Sequence, residues 1–181
     1  ALQHTVDFVS FSYYSSKVVA ADESKYQMAN GNVMRGLKNP FVPTSDYDYP
    51  IDPEGLRYIL NYLYDHFHKP LFVAENGIGA REQLVALPNG VRTVEDDARI
   101  QFHRGHIQAM ERAIADGVEV FGYTSWGPID CVSAASAEIT KRYGFVYVDR
   151  NQDGTGTLER FRKKSFNWYK KVIASNGEDL S

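Results

Sequence analysis

Apolar and polar positions along the chain follow two periods in turn. Val6 to Tyr14 (VDFVSFSYY) is rich in β-branched and aromatic residues and reads as a strand. Leu71–Ala74 and Val118–Tyr123 (VEVFGY) read the same way. Between them the period lengthens. Leu56, Ile59, Leu60, Leu63 and Phe67 fall at helical spacing. Asp52 suits the N-cap of that helix, Pro53 its first position, and Pro70 stops it. A second helix carries Ile100, Ile107, Met110 and Ile114 on its inner stripe. Thr93-Val94-Glu95-Asp96 resembles a capping box before it, and Gly117 suits its end. Phe145–Val148 and Thr157–Arg160 flank the turn Asn151–Gly156 and predict a small hairpin. Ser165 is the expected cap of a third helix with Phe166, Tyr169, Val172 and Ile173 on its apolar face.

Strands alternating with long helices predict an α/β fold of parallel βαβ units. Three such units are too few to close an eight-stranded barrel, but could make a small open doubly wound sheet. No Gly-rich phosphate loop follows the first strand, so a nucleotide site of that kind is unsupported. The stretch Lys17–Pro50 is too long for an idle connection and predicts a functional loop.

Composition narrows the function classes. With 181 residues, 43% of them hydrophobic, the chain can bury a core as one domain or as part of a larger one. A net charge of −3 gives no basic excess to attract nucleic acid or an anionic membrane. Cys131 is the single cysteine, so no internal disulfide forms, which fits a reducing cytoplasm. The opening residues lack the charged and apolar regions of a signal peptide, and no apolar run nears the roughly 20 residues of a membrane span. His4, His66, His68, His103 and His106 are scattered and form no metal set. His103 and His106 are expected to face solvent or a neighbouring helix.

Glu75 stands out. The apolar run from Leu71 ends on this carboxylate, and an unpaired charge there is costly. It is either a salt-bridged strand end or a group that does chemistry, because in parallel barrels the carboxyl ends of the strands face the active site.

Four motifs bear on that choice. Ala-Glu-Asn-Gly at 74–77 resembles the nucleophile motif of the family 1 glycoside hydrolases, which are (β/α)8 TIM barrels. Phe-Ser-Tyr-Tyr at 11–14 resembles that family's Asn-Tyr-Tyr at the end of strand six. Tyr123-Thr124-Ser125-Trp126 with Asp130 resembles its region after strand eight. Arg160, Lys163, Ser165, Trp168 and Tyr169 resemble its closing signature. Ser12 and Ala74 depart from the usual Asn and Thr. The resemblance implies a partial TIM barrel, with residues 1–181 as one C-terminal segment covering about strands six to eight. It implies Glu75 as the nucleophile, Tyr14 as its hydrogen-bond donor and Trp126 as an apolar platform for the sugar. Taken alone, Tyr14 and Trp126 would each pass for packed core aromatics.

The loop after Trp126 points to a phosphorylated substrate. Where the family's β-glucosidases carry Glu and Trp against the sugar's 4- and 6-hydroxyls, this chain has Ser133 and Ala134. A carboxylate would repel a 6-phosphate of roughly −1.5 to −2 charges. Lys141 and Tyr143 are two residues apart and point the same way if that stretch is extended. With Ser133 they would clamp a phosphate, as in the 6-phospho-β-glycosidase branch that the arrangement resembles. Otherwise Lys141-Arg142-Tyr143 is a solvated basic stretch. The small Ala134 resembles the glucose-preferring branch, so the implied reaction is retaining hydrolysis of 6-phospho-β-glucosides, with 6-phospho-β-galactosides as the alternative. No cofactor is implied. The family's acid/base lies in an Asn-Glu-Pro motif that these residues lack, so the chain by itself is expected to be inactive and to self-associate through surfaces the N-terminal portion would cover. A non-catalytic sugar-phosphate-binding α/β module is the competing reading. A scaffold domain has no support from repeats or charge runs.

Overall fold

The computed structural model describes residues 5–29 and 36–181. His4 and residues 30–35 of the long loop lie outside them. Three strands, β1 (Val9–Ser12), β2 (Leu71–Asn76) and β3 (Val120–Ser125), alternate with three helices, α1 (Pro53–Phe67), α2 (Asp97–Ala115) and α3 (Lys164–Ala174). The strands form one parallel sheet with β2 in the middle. All three helices cover one face of it. Leu56 and Leu60 from α1, Ile100, Ile107 and Met110 from α2, and Trp168 and Val172 from α3 pack on Leu71 and Val73. The other face keeps its aromatics open. Phe121 is 54% exposed and Phe8 47%, with their rings edge to face at 5.2 Å and Phe72 beside them. Among the described residues no helix is long and apolar enough to cross a membrane, and no His, Cys, Asp and Glu group could hold a metal ion.

The α1 start agrees with the sequence reading: the Asp52 carboxylate accepts from the Gly55 amide at 3.0 Å. The other two helix starts differ from it. Thr93 caps nothing, and its hydroxyl donates to the Arg162 carbonyl. Asp96 is the N-cap residue of α2, but its carboxylate accepts from the Ser165 amide and hydroxyl. Ser165 sits within the first turn of α3 and is fully buried, with its hydroxyl turned to Asp96. Two helix starts are therefore pinned to each other rather than capped separately. Phe67, Ile114 and Ile173, expected inside, are 51%, 52% and 65% exposed, which narrows each helix's buried stripe. His103 and His106 are fully buried in the layer between α2 and the sheet, not turned to solvent. The hairpin forms as Val146–Val148 against Arg160–Arg162.

Beside the sheet's carboxyl end lies a buried network of six charges. Arg99 pairs with Asp96 and Glu82, Lys163 with Glu82 and Asp130, and Arg142 with Asp130. Three cations face three anions, so the cluster is neutral as a whole. The Arg99 guanidinium also donates to the carbonyls of Ile78 (2.8 Å), Tyr143 (2.6 Å) and Arg142 (3.1 Å). It thereby joins the segment after β2 to the segment Lys141–Tyr143. Breaking a buried network by removing one partner costs about 3–5 kcal/mol. Arg99→Leu is therefore expected to lower the unfolding free energy by that amount in urea titrations. A loss below about 1 kcal/mol, the scale of an exposed pair, would show that the network is not a support.

Candidate active site

Glu75 lies near the end of β2. Regular alternation would send it to the same side as Val73, into the helix layer. The register instead slips. Phe11 pairs with Val73 but Ser12 pairs with Glu75, and on the other side Tyr123 pairs with Val73 but Ser125 with Asn76. An irregularity of this kind re-aims a side chain, and here it turns Glu75 into a cavity. Asn76 takes the buried place. Its amide donates to the Tyr13 carbonyl at 2.8 Å and accepts from the Tyr123 hydroxyl at 2.7 Å.

The Tyr14 hydroxyl donates to Glu75 Oε2 at 2.9 Å. Burial first, and then the Glu75 carboxylate, push the Tyr14 phenol well above its ordinary range. Tyr14 is therefore a fixed donor that keeps its proton and holds the Glu75 carboxylate in place.

The cavity holds about 570 Å³ and is bordered by Glu75, Tyr14, Trp126, Ala134, Lys141 and Tyr143. Six of the seven residues singled out in the sequence thus line one space. Ser133, the seventh, is buried behind it, and the Tyr143 hydroxyl donates to Ser133 Oγ at 3.0 Å. The Trp126 amide donates to the Asn76 carbonyl at 2.8 Å, and its ring meets that of Tyr143 edge-on at 6.5 Å. Gly77 allows that approach, since a Cβ there would lie 3.2 Å from Trp126 Cβ.

Lys141 is only 3% exposed. Its Nζ lies over the rings of Tyr47, Tyr49 and Tyr143 at 4.8, 5.0 and 5.9 Å from their centroids. Among the described residues no carboxylate forms an ion pair with it within 4.0 Å. Burial lowers its pKa, against a weaker opposing pull from Glu138. The neighbouring Arg142 points the other way, into the charge network. The extended backbone thus separates Lys141 and Tyr143 from Arg142, as alternation requires.

Sequence reasoning missed several members of this site. Tyr47 and Tyr49 come from the long loop, whose length was a signal although its individual tyrosines were not. Gly79 is a second. A Cβ there would come within 2.8 Å of Lys141 Cγ and 2.9 Å of Cε, so the lysine stem needs the bare backbone. Lys17 and Ile51 also border the cavity.

The comparisons agree on the kind of protein this is. The family model described as glycosyl hydrolase family 1 matches residues 1–178. A 6-phospho-beta-glucosidase of Clostridium longisporum is 56% identical over 99% of this chain and 38% of its own length. The 6-phospho-beta-glucosidase AscB of Escherichia coli is 55% identical over 99% of this chain and 37% of its own. Among solved structures, a β-glucosidase of Thermotoga maritima in complex with galacto-hydroximolactam aligns with a TM-score of 0.78 at 30% identity, covering 98% of this chain and 36% of that one. The chain thus spans somewhat over a third of the length of the relatives it matches. On this match over nearly its whole length, the chain belongs to glycosyl hydrolase family 1.

Proposed function

We propose that this chain supplies the nucleophile and the phosphate site of an enzyme that hydrolyses 6-phospho-β-glucosides with retention of configuration. One observation carries the reading: a single cavity has an oriented carboxylate, Glu75, and a buried ammonium without a carboxylate partner among the described residues, Lys141. An anionic sugar bearing its charge away from the reacting carbon matches that pair. In the first step a Glu75 oxygen attacks the anomeric carbon, and the bond to the leaving oxygen breaks as that oxygen takes a proton from a second carboxyl group. In the second step water attacks the same carbon, gives its proton to that second group and releases Glu75. Tyr14 aims Glu75, Trp126 underlies the sugar ring, and Lys141 and Tyr143 meet the phosphate, the Tyr143 phenol turning its proton from Ser133 Oγ behind it to the phosphate.

The relatives at 55–56% identity, named as 6-phospho-beta-glucosidases, support a phosphorylated glucoside. The small Ala134 favours a glucoside over a galactoside. The second carboxyl group belongs to an Asn-Glu-Pro motif in the resemblance, and no such tripeptide occurs in the 181 residues. In this reading the chain is strands six to eight of the barrel, and its share of its relatives' length supports that. With Cys131 its single cysteine, the chain fits a reducing cytoplasm as the compartment for the reaction.

A 2-deoxy-2-fluoro-6-phospho-β-glucoside is expected to label Glu75 in the complete enzyme, read by peptide mass spectrometry. No label would favour a non-catalytic sugar-phosphate module, and a label elsewhere would overturn Glu75 as the nucleophile. Steady-state kinetics should prefer the 6-phosphoglucoside to the 6-phosphogalactoside.

Lys141→Ala should raise KM for the phosphorylated substrate about 10- to 100-fold, the worth of a hydrogen bond to a charged group, with little change for the plain glucoside. The lowered pKa of Lys141 adds a pH signature. The free ammonium loses its proton below the usual lysine range, so KM for the phosphorylated substrate should climb on the alkaline side while that of the plain glucoside stays level. Parallel pH profiles would end the clamp reading.

The 181-residue chain alone is expected to show no turnover. The sheet's outer strands, β1 and β3, each lack a partner on one edge among the described residues, and Phe8 and Phe121 stay open. Self-association is the expected consequence. Measurable hydrolysis, or a sharply monomeric boundary in sedimentation, would contradict this.

A further inference from the structure

We infer that His103 is a positioning residue for Glu75, acting through a hydrogen-bond chain that runs in one direction across Tyr123 and Asn76. The chain is fixed from its far end. The Tyr13 carbonyl can only accept, so the Asn76 amide nitrogen faces it at 2.8 Å. Asn76 Oδ1 therefore faces Tyr123, whose hydroxyl donates to it at 2.7 Å. With its proton committed, the Tyr123 oxygen must accept from the group on its other side. That group is His103 Nδ1, at 2.8 Å. His103 is thus a neutral imidazole with its proton on Nδ1, and its Nε2 lone pair looks toward Ser125 Oγ at 3.5 Å. Complete burial, and the Arg99 charge nearby, keep the ring neutral.

The Tyr13 end of this chain lies beside the chemistry. Asn76 follows Glu75, and Tyr13 precedes Tyr14, the donor to Glu75. The Asn76 amide therefore clamps together the two backbone segments that carry that pair. The Tyr13 amide adds a bond to the Glu75 carbonyl at 2.9 Å. Without the Nδ1 donor, the Tyr123 oxygen loses the bond that anchors it over Asn76. A buried acceptor is then left unsatisfied, and the Glu75–Tyr14 geometry loosens. Small misplacements of a reacting group are costly in rate.

This inference rests on Glu75 being the nucleophile. The test is the rate constant for inactivation of the complete enzyme at saturating 2-deoxy-2-fluoro-6-phospho-β-glucoside, which does not depend on how much of a variant folds. His103→Leu should lower it about tenfold, the equivalent of one lost hydrogen bond. His103→Asn, whose amide nitrogen can take the place of Nδ1, should recover it to within about twofold. Tyr123→Phe, a smaller change that removes only the hydroxyl, should match His103→Leu, and the double variant should be no slower than either. Equal slowing by Leu and Asn, additive losses in the double variant, or no slowing at all would overturn the inference. Failure of the unaltered enzyme to be labelled would instead overturn the assignment of Glu75 itself.

Discussion

The neutral cluster of Arg99, Glu82, Asp96, Lys163, Asp130 and Arg142 is the constraint on which the site's shape depends. Its members come from the loop after β2, from α2, from the loop after β3 and from the approach to α3. A single buried charge is prohibitive, and a buried pair is at best marginal. A chain of alternating charges, in which Asp96 and Asp130 also accept backbone amides and Glu82 bridges two cations, is tolerable. Asp130, for example, accepts from the Gly144 amide at 2.9 Å as well as from Lys163 at 2.8 Å. The stability so gained is modest. Its geometric consequence is larger, because loops that follow separate strands would otherwise move independently. Through the carbonyls of Ile78, Arg142 and Tyr143, Arg99 makes them one body.

The completeness of that cluster gives Lys141 its meaning. The three other buried cations nearby have carboxylate partners, while the Lys141 ammonium faces tyrosine rings. Ring quadrupoles replace part of the water lost on burial, at about 0.5–2 kcal/mol for each contact. They do not satisfy the charge as an anion would. A ligand phosphate could therefore gain charge-assisted hydrogen bonds there without first breaking an ion pair. Arg142, one residue on, would have been a poor choice for that task, since its guanidinium is already spent on Asp130 and on the carbonyls of Val148 and Arg150.

What the sequence disclosed, and what it hid, divides by range. The order of strands and helices, the Asp52 cap and the shared direction of Lys141 and Tyr143 are local periodicities, legible from residues a few positions apart. The placement of Glu75 at a strand end was legible for the same reason. Asp96 and Ser165 lie 69 residues apart in sequence, so the box ending at Asp96 and the cap at Ser165 each read as a local helix start. The burial of His103 and His106 was hidden because distant residues decide it: Tyr123 meets His103, and the Tyr13 ring meets that of His106. Gly79 looked like one more turn glycine until the Lys141 stem was seen to cross it. Tyr47 and Tyr49 reach Lys141 from a loop about 90 residues earlier, and no spacing rule connects them to it.

The aim of Glu75 shows how a local departure is held by long-range contacts. A strand that keeps its register would bury a carboxylate among helix side chains, where nothing is set to receive it. Slipping the ladder on both sides of β2 sends Glu75 to the cavity but gives up regular pairing at the strand end. What offsets that loss is the next residue. Asn76 enters the core in Glu75's stead, and both ends of its amide are satisfied, by a carbonyl of β1's continuation and by a β3 hydroxyl. A carboxylate could not do this, because it has no proton to offer the Tyr13 carbonyl. The pair Glu-Asn at the end of β2 is thus one device, in which the amide fixes the backbone that the acid needs.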